Sequence, residues 1–136
     1  MAARVLIVDD SAPVRRLVKT YLEAHPGLAV IDEAADGVEG VVKARALKPD
    51  VVILDLAMPR MNGWQAAAAL RKLMPQLPII MFTMHAGALP PSAVHDAGIA
   101  AVVSKTGPME ALLAEVRRLT GGPELLSKPA TSGASG

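Results

Sequence analysis

Five short apolar runs, rich in Val, Ile and Leu, begin near residues 5, 28, 51, 79 and 101 of this 136-residue chain. Residues 5–8 and 51–54 are apolar at every position, which is typical of strands buried on both faces. Successive runs start 23, 23, 28 and 22 residues apart. Each interval has room for one strand, one helix of about three turns and two short loops. The pattern therefore predicts five strands separated by helices.

Apolar residues repeat at helical spacing in three of the intervening segments. The three predicted stripes are Val14, Leu17, Val18, Tyr21 and Leu22; Ala66, Leu70, Leu73 and Met74; and Met109, Leu112, Leu113 and Val116. Ser11 is a suitable N-cap for the first helix, and Pro13 is tolerated in its first turn. Proline-containing segments at 25–27, 48–50 and 76–78 predict where helices end before the next strand.

This (βα)₅ alternation indicates an α/β fold: a doubly wound, five-stranded parallel sheet covered by helices on both faces. We expect the flavodoxin-like strand order 2-1-3-4-5, in which the switch point lies between strands 1 and 3. The alternation covers residues 4–120, which predicts a single domain. Residues 121–136 are rich in Gly, Ser, Ala and Pro, and we expect a linker or disordered tail there.

Polar residues follow the apolar runs at positions that this topology brings together. Asp9 and Asp10 follow the first run, Asp55 follows the third, Thr83 ends the fourth and Lys105 follows the fifth. Taken singly, each has a structural explanation, such as a helix cap or a solvated surface charge. Two carboxylates about 5 Å apart, however, repel by roughly 3 kcal/mol at an effective dielectric constant near 20. A divalent cation would reverse that repulsion, and a phosphoryl group would give the lysine a partner.

Composition excludes several classes of function. The chain has 14 Lys and Arg against 13 Asp and Glu with no basic block, and only three aromatic residues, so we expect no nucleic-acid binding. It has no cysteine, which excludes disulfides and thiolate metal sites. No apolar stretch is long enough to span a membrane, and the amino terminus does not resemble a signal peptide. We expect a cytoplasmic domain without a membrane partner.

The motif residues resemble those of a receiver domain of a two-component response regulator. The matching elements are Leu6-Ile7-Val8-Asp9-Asp10-Ser11, Asp55 with Met58-Pro59 and Gly63, Thr83, and Lys105. The resemblance implies that Asp55 accepts a phosphoryl group from a sensor histidine kinase or a histidine phosphotransfer protein. It also implies a phosphoacceptor that assists its own phosphorylation and dephosphorylation, and not an enzyme acting on other molecules.

The resemblance also implies roles for the surrounding residues. Asp9, Asp10 and Asp55, with the backbone carbonyl of Ala57, would hold Mg²⁺ or Mn²⁺. Thr83 and Lys105 would contact the phosphoryl oxygens. Ala57 and His85 would border the phosphoryl group and influence its lifetime. Phosphorylation would shift the face formed by the fourth helix, fifth strand and fifth helix, through which a homodimer could also form.

Three features depart from the family pattern. Val102 stands where receivers usually have an aromatic switch residue, and Thr106 stands where a cis-proline usually follows the lysine. We therefore predict a trans bond between Lys105 and Thr106, because a cis bond before a residue other than proline costs about 3–4 kcal/mol. Residues 86–98 contain Gly87, Pro90 and Pro91, which leaves few residues for a fourth helix. Pro59 and Gly63 are expected to shape a tight loop after Asp55, in which Gly63 allows a positive φ.

Three other functions compete with the phosphoacceptor. A degenerate receiver would act as a phosphorylation-independent docking module, which Val102 keeps open. A haloacid-dehalogenase-type phosphatase would need a second aspartate where Ala57 stands. A flavodoxin-type electron carrier would need a phosphate-binding loop and aromatic residues around the flavin, and the sequence shows neither.

Overall fold

The computed structural model describes residues 2–121, and the strands form one parallel sheet of order β2-β1-β3-β4-β5. The elements are β1 (Ala3–Val8), α1 (Ala12–Glu23), β2 (Leu28–Ala34), α2 (Gly37–Leu47), β3 (Val51–Leu54), α3 (Gly63–Leu73), β4 (Ile79–Thr83), α4 (Pro91–Asp96), β5 (Ala101–Ser104) and α5 (Met109–Thr120), with a 3-10 turn at Ala86–Ala88. This confirms the predicted fold and strand order. Of the predicted tail, residues 122–136 lie outside the described residues.

The sheet separates two apolar layers, because successive side chains of a strand point to opposite faces. Val5 and Ile7 of β1 pack with residues of α1 and α5 on one face. Leu6 and Val8 pack with residues of α2, α3 and α4 on the other. The central strands β1 and β3 are thus covered on both sides, and their carboxyl ends emerge at one edge of the core.

The helical stripes are confirmed in part. In α5, Leu112, Leu113 and Val116 are buried as predicted. In α1 and α3, the predicted Leu17 and Leu73 are wrong as core positions, with 58% and 47% of their surfaces exposed. The buried line of α1 runs through Val18 and Leu22, and that of α3 through Ala66, Ala67 and Leu70. Successive side chains of a helix are rotated by about 100° around its axis, so Leu17, which precedes Val18, lies off the buried line and faces solvent.

The edge strand β2 carries an irregularity and two acidic residues. Val5 pairs with Val30 but Leu6 pairs with Asp32, so Ile31 is an extra residue in β2. The acids are held by cations from neighbouring helices: Lys43 Nζ lies 3.1 Å from Asp32, and Arg15 Nε lies 2.9 Å from Glu33. No helix among residues 2–121 is both long enough and apolar enough to cross a membrane.

Candidate functional site

The predicted site residues converge at the carboxyl edge of the sheet. Asp9, Asp55 and Thr83 are buried, with 2%, 6% and 1% of their surfaces exposed, whereas Asp10 is exposed. One carboxylate oxygen from each of Asp9, Asp10 and Asp55 lies within 4.8 Å of the others. The topology brings them together because β1 and β3 are adjacent and both end at this edge. The loop after β1 is held by Ser11, whose hydroxyl accepts the Val14 N–H at 3.3 Å as the predicted N-cap.

Lys105 connects β5 to the two buried acids. Its Nζ lies 2.6 Å from Asp9 Oδ2 and 3.1 Å from Asp55 Oδ1, and also 5.9 Å from the Phe82 ring centre. Its backbone N–H donates to the Thr83 carbonyl at 2.9 Å. The family resemblance implied a contact of Lys105 with a phosphoryl oxygen, but not this pairing with Asp9. Strand-end spacing predicts that charges meet, but not which partners they choose.

Asp9 has a partner for each carboxylate oxygen. Oδ1 accepts the Ser11 N–H at 2.9 Å, and Oδ2 accepts from Lys105. The Asp9 backbone carbonyl also accepts from Arg15 at 2.6 Å. Asp9 is therefore held in place by contacts with the surrounding residues.

Asp55 differs because one of its oxygens has no hydrogen-bond partner among residues 2–121. Oδ1 accepts the Leu56 N–H at 2.8 Å and also faces Lys105. Oδ2 accepts no hydrogen bond from the described residues. The Asp55 N–H donates to the Val8 carbonyl at 2.8 Å, which fixes the start of the loop. Asp55 thus presents one oriented oxygen to an incoming electrophile or cation.

The electrostatics of the two central groups are coupled. Burial raises the pKa of Asp55, and the negative charge of Asp9 raises it further, although Lys105 partly offsets both. Burial alone would lower the pKa of Lys105, but its contacts with Asp9 and Asp55 outweigh burial and raise that pKa. Lys105 therefore stays an ammonium, and it is the charge that makes two buried carboxylates tolerable.

The loop after β3 (residues 55–62, the β3–α3 loop) does not use the positive φ that glycine allows at position 63. The φ angle of Gly63 is not positive; in this loop the positive φ of 66° belongs to Arg60. Glycine is needed at 63 for close approach, because a Cβ there would lie 2.4 Å from the Asp55 carbonyl oxygen. The Gly63 N–H donates to the Leu56 carbonyl at 2.7 Å. A small residue is thus required for packing, which a sequence pattern cannot distinguish from a conformational requirement.

The remaining predicted residues surround the site more loosely. Ala57 and His85 are both exposed. Thr83 Oγ1 accepts the His85 N–H at 3.1 Å, which leaves the Thr83 hydroxyl proton available to donate. Val102 is half-buried beside an apolar cleft of about 400 Å³. The cleft is lined by Ala86, Leu89, Pro91, Val94, His95, Ile99 and Val102.

The turn after β5 contains hydroxyl groups at the position where the resemblance implies a cis-proline. No peptide bond among residues 2–121 is cis, which confirms the predicted trans Lys105–Thr106 bond. Ser104 Oγ accepts the Thr106 N–H at 3.1 Å and lies 2.7 Å from Thr106 Oγ1. The fourth helix spans only six residues, as the prolines and glycine of this segment predict.

The donor set fits a hard divalent cation. Mg²⁺ and Mn²⁺ prefer carboxylate, carbonyl and water oxygens. Asp9, Asp10 and Asp55 supply carboxylate oxygens within reach of one ion, and no described residue donates a hydrogen bond to Asp55 Oδ2. These residues therefore form an acidic cluster whose oxygens could hold one divalent cation, with the Lys105 ammonium group beside them.

Comparison with known proteins identifies the family. Residues 5–117 match the response regulator receiver domain. The chain belongs to this family. Receiver domains of two-component systems interact with histidine kinases, take a phosphoryl group on an aspartate and bind Mg²⁺ at an acidic cluster, and Asp9, Asp10 and Asp55 form such a cluster in this receiver domain.

Among curated relatives, response regulator protein VraR of Staphylococcus aureus is 33% identical over 133 residues, covering 94% of this chain and 64% of VraR. A protein-glutamate methylesterase/protein-glutamine glutaminase of Alkalilimnicola ehrlichii is 43% identical over 83 residues, covering 61% of this chain and 21% of the relative. The receiver chain thus spans less than two thirds of these relatives.

Solved structures of similar chains show the same fold. The response regulator domain of Thermotoga maritima CheB has a TM-score of 0.81 at 31% identity, with 89% of this chain and 98% of that chain covered. A LuxR-family response regulator from an Aurantimonas species has a TM-score of 0.81 at 32% identity, covering 98% and 99%. The CheX-CheY-BeF₃-Mg²⁺ complex of Borrelia burgdorferi matches with a TM-score of 0.72 at 30% identity, covering 85% and 87%.

Proposed function

We propose that this receiver domain accepts a phosphoryl group on Asp55 from the phosphohistidine of a sensor histidine kinase or histidine phosphotransfer protein, in a Mg²⁺-dependent reaction. The observation that carries the proposal is the contrast between the two buried acids. Both oxygens of Asp9 are engaged by Ser11 and Lys105, whereas Asp55 Oδ2 accepts no hydrogen bond from the described residues. Asp55 is the acid left available to react.

Apart from this nucleophile, the protein takes little part in the covalent steps of the reaction. Asp55 Oδ2 attacks phosphorus, the bond from phosphorus to the donor nitrogen breaks, and its electron pair returns to the imidazole. Phosphoryl transfer depends mainly on positioning and on neutralising charge. Lys105 supplies a fixed positive charge beside Asp55, and the Thr83 hydroxyl can donate to a phosphoryl oxygen.

Asp9, Asp10 and Asp55, together with the Ala57 carbonyl, are the groups that would hold Mg²⁺ or Mn²⁺. When bound, the cation would neutralise charge shared by the nucleophile and the phosphoryl oxygens. The Borrelia CheY complex contains Mg²⁺ together with BeF₃, which supports the same assignment for this chain. Ala57 and His85 are exposed next to the site, where they would influence access of water to the phosphoryl group.

The conformational response would involve α4, β5 and α5. The Lys105 backbone N–H donates to the Thr83 carbonyl, and the Lys105 ammonium group contacts the carboxylates of Asp9 and Asp55. A phosphoryl group on Asp55 would compete for that ammonium and for the Thr83 hydroxyl, which would shift the population of conformations at this face. A homodimer through the same face is part of this proposal.

Phosphorylation by a small donor tests the assignment of Asp55. Incubation with acetyl phosphate and Mg²⁺ should add one phosphoryl group by intact mass, and chelation of Mg²⁺ should prevent the addition. Asp55→Asn should abolish it. Asp96→Asn is the matched control, because Asp96 is an exposed acid on α4 and its removal should leave phosphorylation unchanged.

The same experiment separates the alternative function. A docking module would bind its kinase without being modified. An unmodified wild-type chain that still binds a histidine kinase would therefore contradict the phosphoacceptor and favour docking. Modification that survives in Asp55→Asn would contradict the choice of residue.

A further inference from the structure

An ion pair joins the β3–α3 loop to the start of α2. Arg60 Nε lies 3.1 Å from Asp36 Oδ2, and Arg60 Nη2 contacts the same oxygen. The Asp36 carboxylate is buried, with 4% of its side chain exposed. Arg60 lies three residues after Ala57 in the loop that would contribute a carbonyl to the cation. The contact therefore links this loop to an element that carries none of the proposed ligands.

The backbone around this pair is closely fitted. The Gly37 N–H donates to the Met61 carbonyl at 3.2 Å. A Cβ on Gly37 would lie 2.4 Å from that carbonyl oxygen, so the first turn of α2 lies directly against the loop. Arg60 itself has a φ of 66°, a backbone conformation that residues other than glycine rarely adopt. Neighbouring contacts must therefore maintain it. The pair with Asp36 is such a contact.

Asp36 uses its two oxygens for different purposes. Oδ1 accepts the Glu39 N–H at 2.9 Å and caps α2, while Oδ2 receives Arg60. A helix needs only the cap. The second contact is the one that joins α2 to the β3–α3 loop.

We propose that Asp36 and Arg60 are positioning residues for the cation. Their ion pair holds the β3–α3 loop in the conformation that binds Mg²⁺ beside Asp55, and so sets the affinity of the site. The inference rests on the proposed Mg²⁺ site. It assigns a role in metal binding to two residues that do not themselves coordinate the metal.

Two variants distinguish positioning from simple electrostatics. Asp36→Asn keeps an oxygen for the cap and removes the charge. Arg60→Gly permits the positive φ and removes the guanidinium. Electrostatics alone predicts opposite effects: loss of a cation at Arg60 would strengthen Mg²⁺ binding, and loss of the anion at Asp36 would weaken it. Positioning predicts weaker binding in both, by about 10-fold, the low end of losses for residues behind metal ligands.

Lys43→Gln is the matched control. It removes the same charge as Arg60→Gly, and its partners Asp32 and Glu39 lie on β2 and α2, outside the β3–α3 loop. We expect its Mg²⁺ affinity to equal that of the wild type. The double variant of Asp36→Asn and Arg60→Gly should bind Mg²⁺ as weakly as either single variant, because the two substitutions remove the same ion pair.

Mg²⁺ titration followed by Trp64 fluorescence measures the affinity. Trp64, the single tryptophan, packs against the same apolar cluster as Met58 and Met61 of the loop. A Mg²⁺-dependent rise in melting temperature provides an independent measure. Without metal, both variants should stay folded, and amide exchange of residues 56–62 should be faster than in the wild type.

Unchanged or tighter Mg²⁺ binding by Arg60→Gly would overturn the inference while leaving the proposed site intact. Unchanged amide exchange in the loop of both variants would also overturn it. A wild-type chain that binds no Mg²⁺ by either measure would instead contradict the proposed function, and the inference would fall with it.

Discussion

The two segments that border Asp55 are built differently. On one side, the β3–α3 loop is tied to α2 through Arg60 and Met61, and it leads into α3 through a capping box of Asn62 and Gln65. On the other, residues 84–90 (the β4–α4 segment) contain one 3-10 turn, and neither that turn nor α4 has a side-chain cap. An apolar cleft of about 400 Å³ lies beside this second segment.

This difference divides two requirements of a receiver domain between two segments. Phosphoryl transfer needs groups fixed in place, and in the proposed function the tied loop would supply them. A signal needs a segment that moves, and low-stability regions with few packed contacts are the ones that do. Lys105 contacts both sides, because its backbone N–H is bonded to the Thr83 carbonyl at the end of β4 and its ammonium group contacts Asp9 and Asp55.

The largest effect is expected from removing the cation that connects the two sides. Lys105→Met leaves Asp9 and Asp55 buried without a counter-charge, and breaking such a pair costs about 3 kcal/mol or more. In a chelator at neutral pH, the free energy of unfolding measured in urea should fall by that amount. Added Mg²⁺ should restore more stability to this variant than to the wild type.

Lys72→Met is the control for Lys105→Met, because Lys72 is an exposed lysine of α3 with the same charge. Its free energy of unfolding should change by less than about 0.5 kcal/mol. Equal losses in the two variants would show that Lys105 does not connect the two sides.

A pair of glycine substitutions compares the packing of the two segments directly. Gly63→Ala puts a Cβ 2.4 Å from the Asp55 carbonyl oxygen, whereas a Cβ at Gly87 meets nothing within 4 Å. We expect Gly63→Ala to lower the free energy of unfolding by about 2 kcal/mol and Gly87→Ala to change it by less than about 0.5 kcal/mol. Comparable losses in urea would remove the distinction between the tight and the loose side.

The pH dependence of metal-free stability should differ between Asp55 and Asp36. Burial raises the pKa of Asp55, so the folded chain binds the extra proton and stability falls as pH rises through that window. The Glu39 N–H and then Arg60 lower the pKa of Asp36, so its contribution is present above the ordinary carboxyl range and is lost as pH falls through the lowered value.

Melting temperatures of both variants across acid and neutral pH test these signs. Asp55→Asn should be more stable than the wild type at neutral pH in a chelator, with the advantage shrinking as the pH falls. Asp36→Asn should be less stable at neutral pH, with the deficit shrinking at low pH. A destabilised Asp55→Asn would mean that its contact with Lys105 outweighs its burial.

The smallest effect is expected in amide exchange. Without ligand, residues 84–90 should exchange faster than residues 56–62, because fewer contacts hold them. Beryllofluoride with Mg²⁺ should slow exchange severalfold in residues 84–90 of the wild type and leave Asp55→Asn unchanged. Unaltered exchange throughout residues 84–103 would favour the docking module.

The fold and the meeting of the site residues were predictable because they depend on local patterns. Runs such as residues 51–54 specify buried strands, and parallel strands bring their carboxyl ends to one edge. The trans bond at Thr106 followed from the energetic cost of a cis bond alone. These inferences need no knowledge of how loops pack against each other.

The contacts between loops could not be predicted in the same way. Asp36 and Arg60 are 24 residues apart and meet only when two loops pack. Which of the nearby acids Lys105 contacts likewise depends on tertiary packing. Leu17 was predicted in the apolar stripe of α1 but is exposed. A periodic pattern indicates which face of a helix is buried, but not how much of that face the sheet covers.

The extra residue in β2 has a consequence for how copies of the protein behave at high concentration. A long, flat edge strand offers unpaired backbone groups to a second chain and invites growth of a continuous sheet. Ile31 interrupts the register of β2, and an extra residue of this kind bends the strand. A second copy approaching this edge meets that bend beside Asp32 and Glu33, whose carboxylates are already paired with Lys43 and Arg15. Resistance to edge-to-edge aggregation is thus built into the strand farthest from β5.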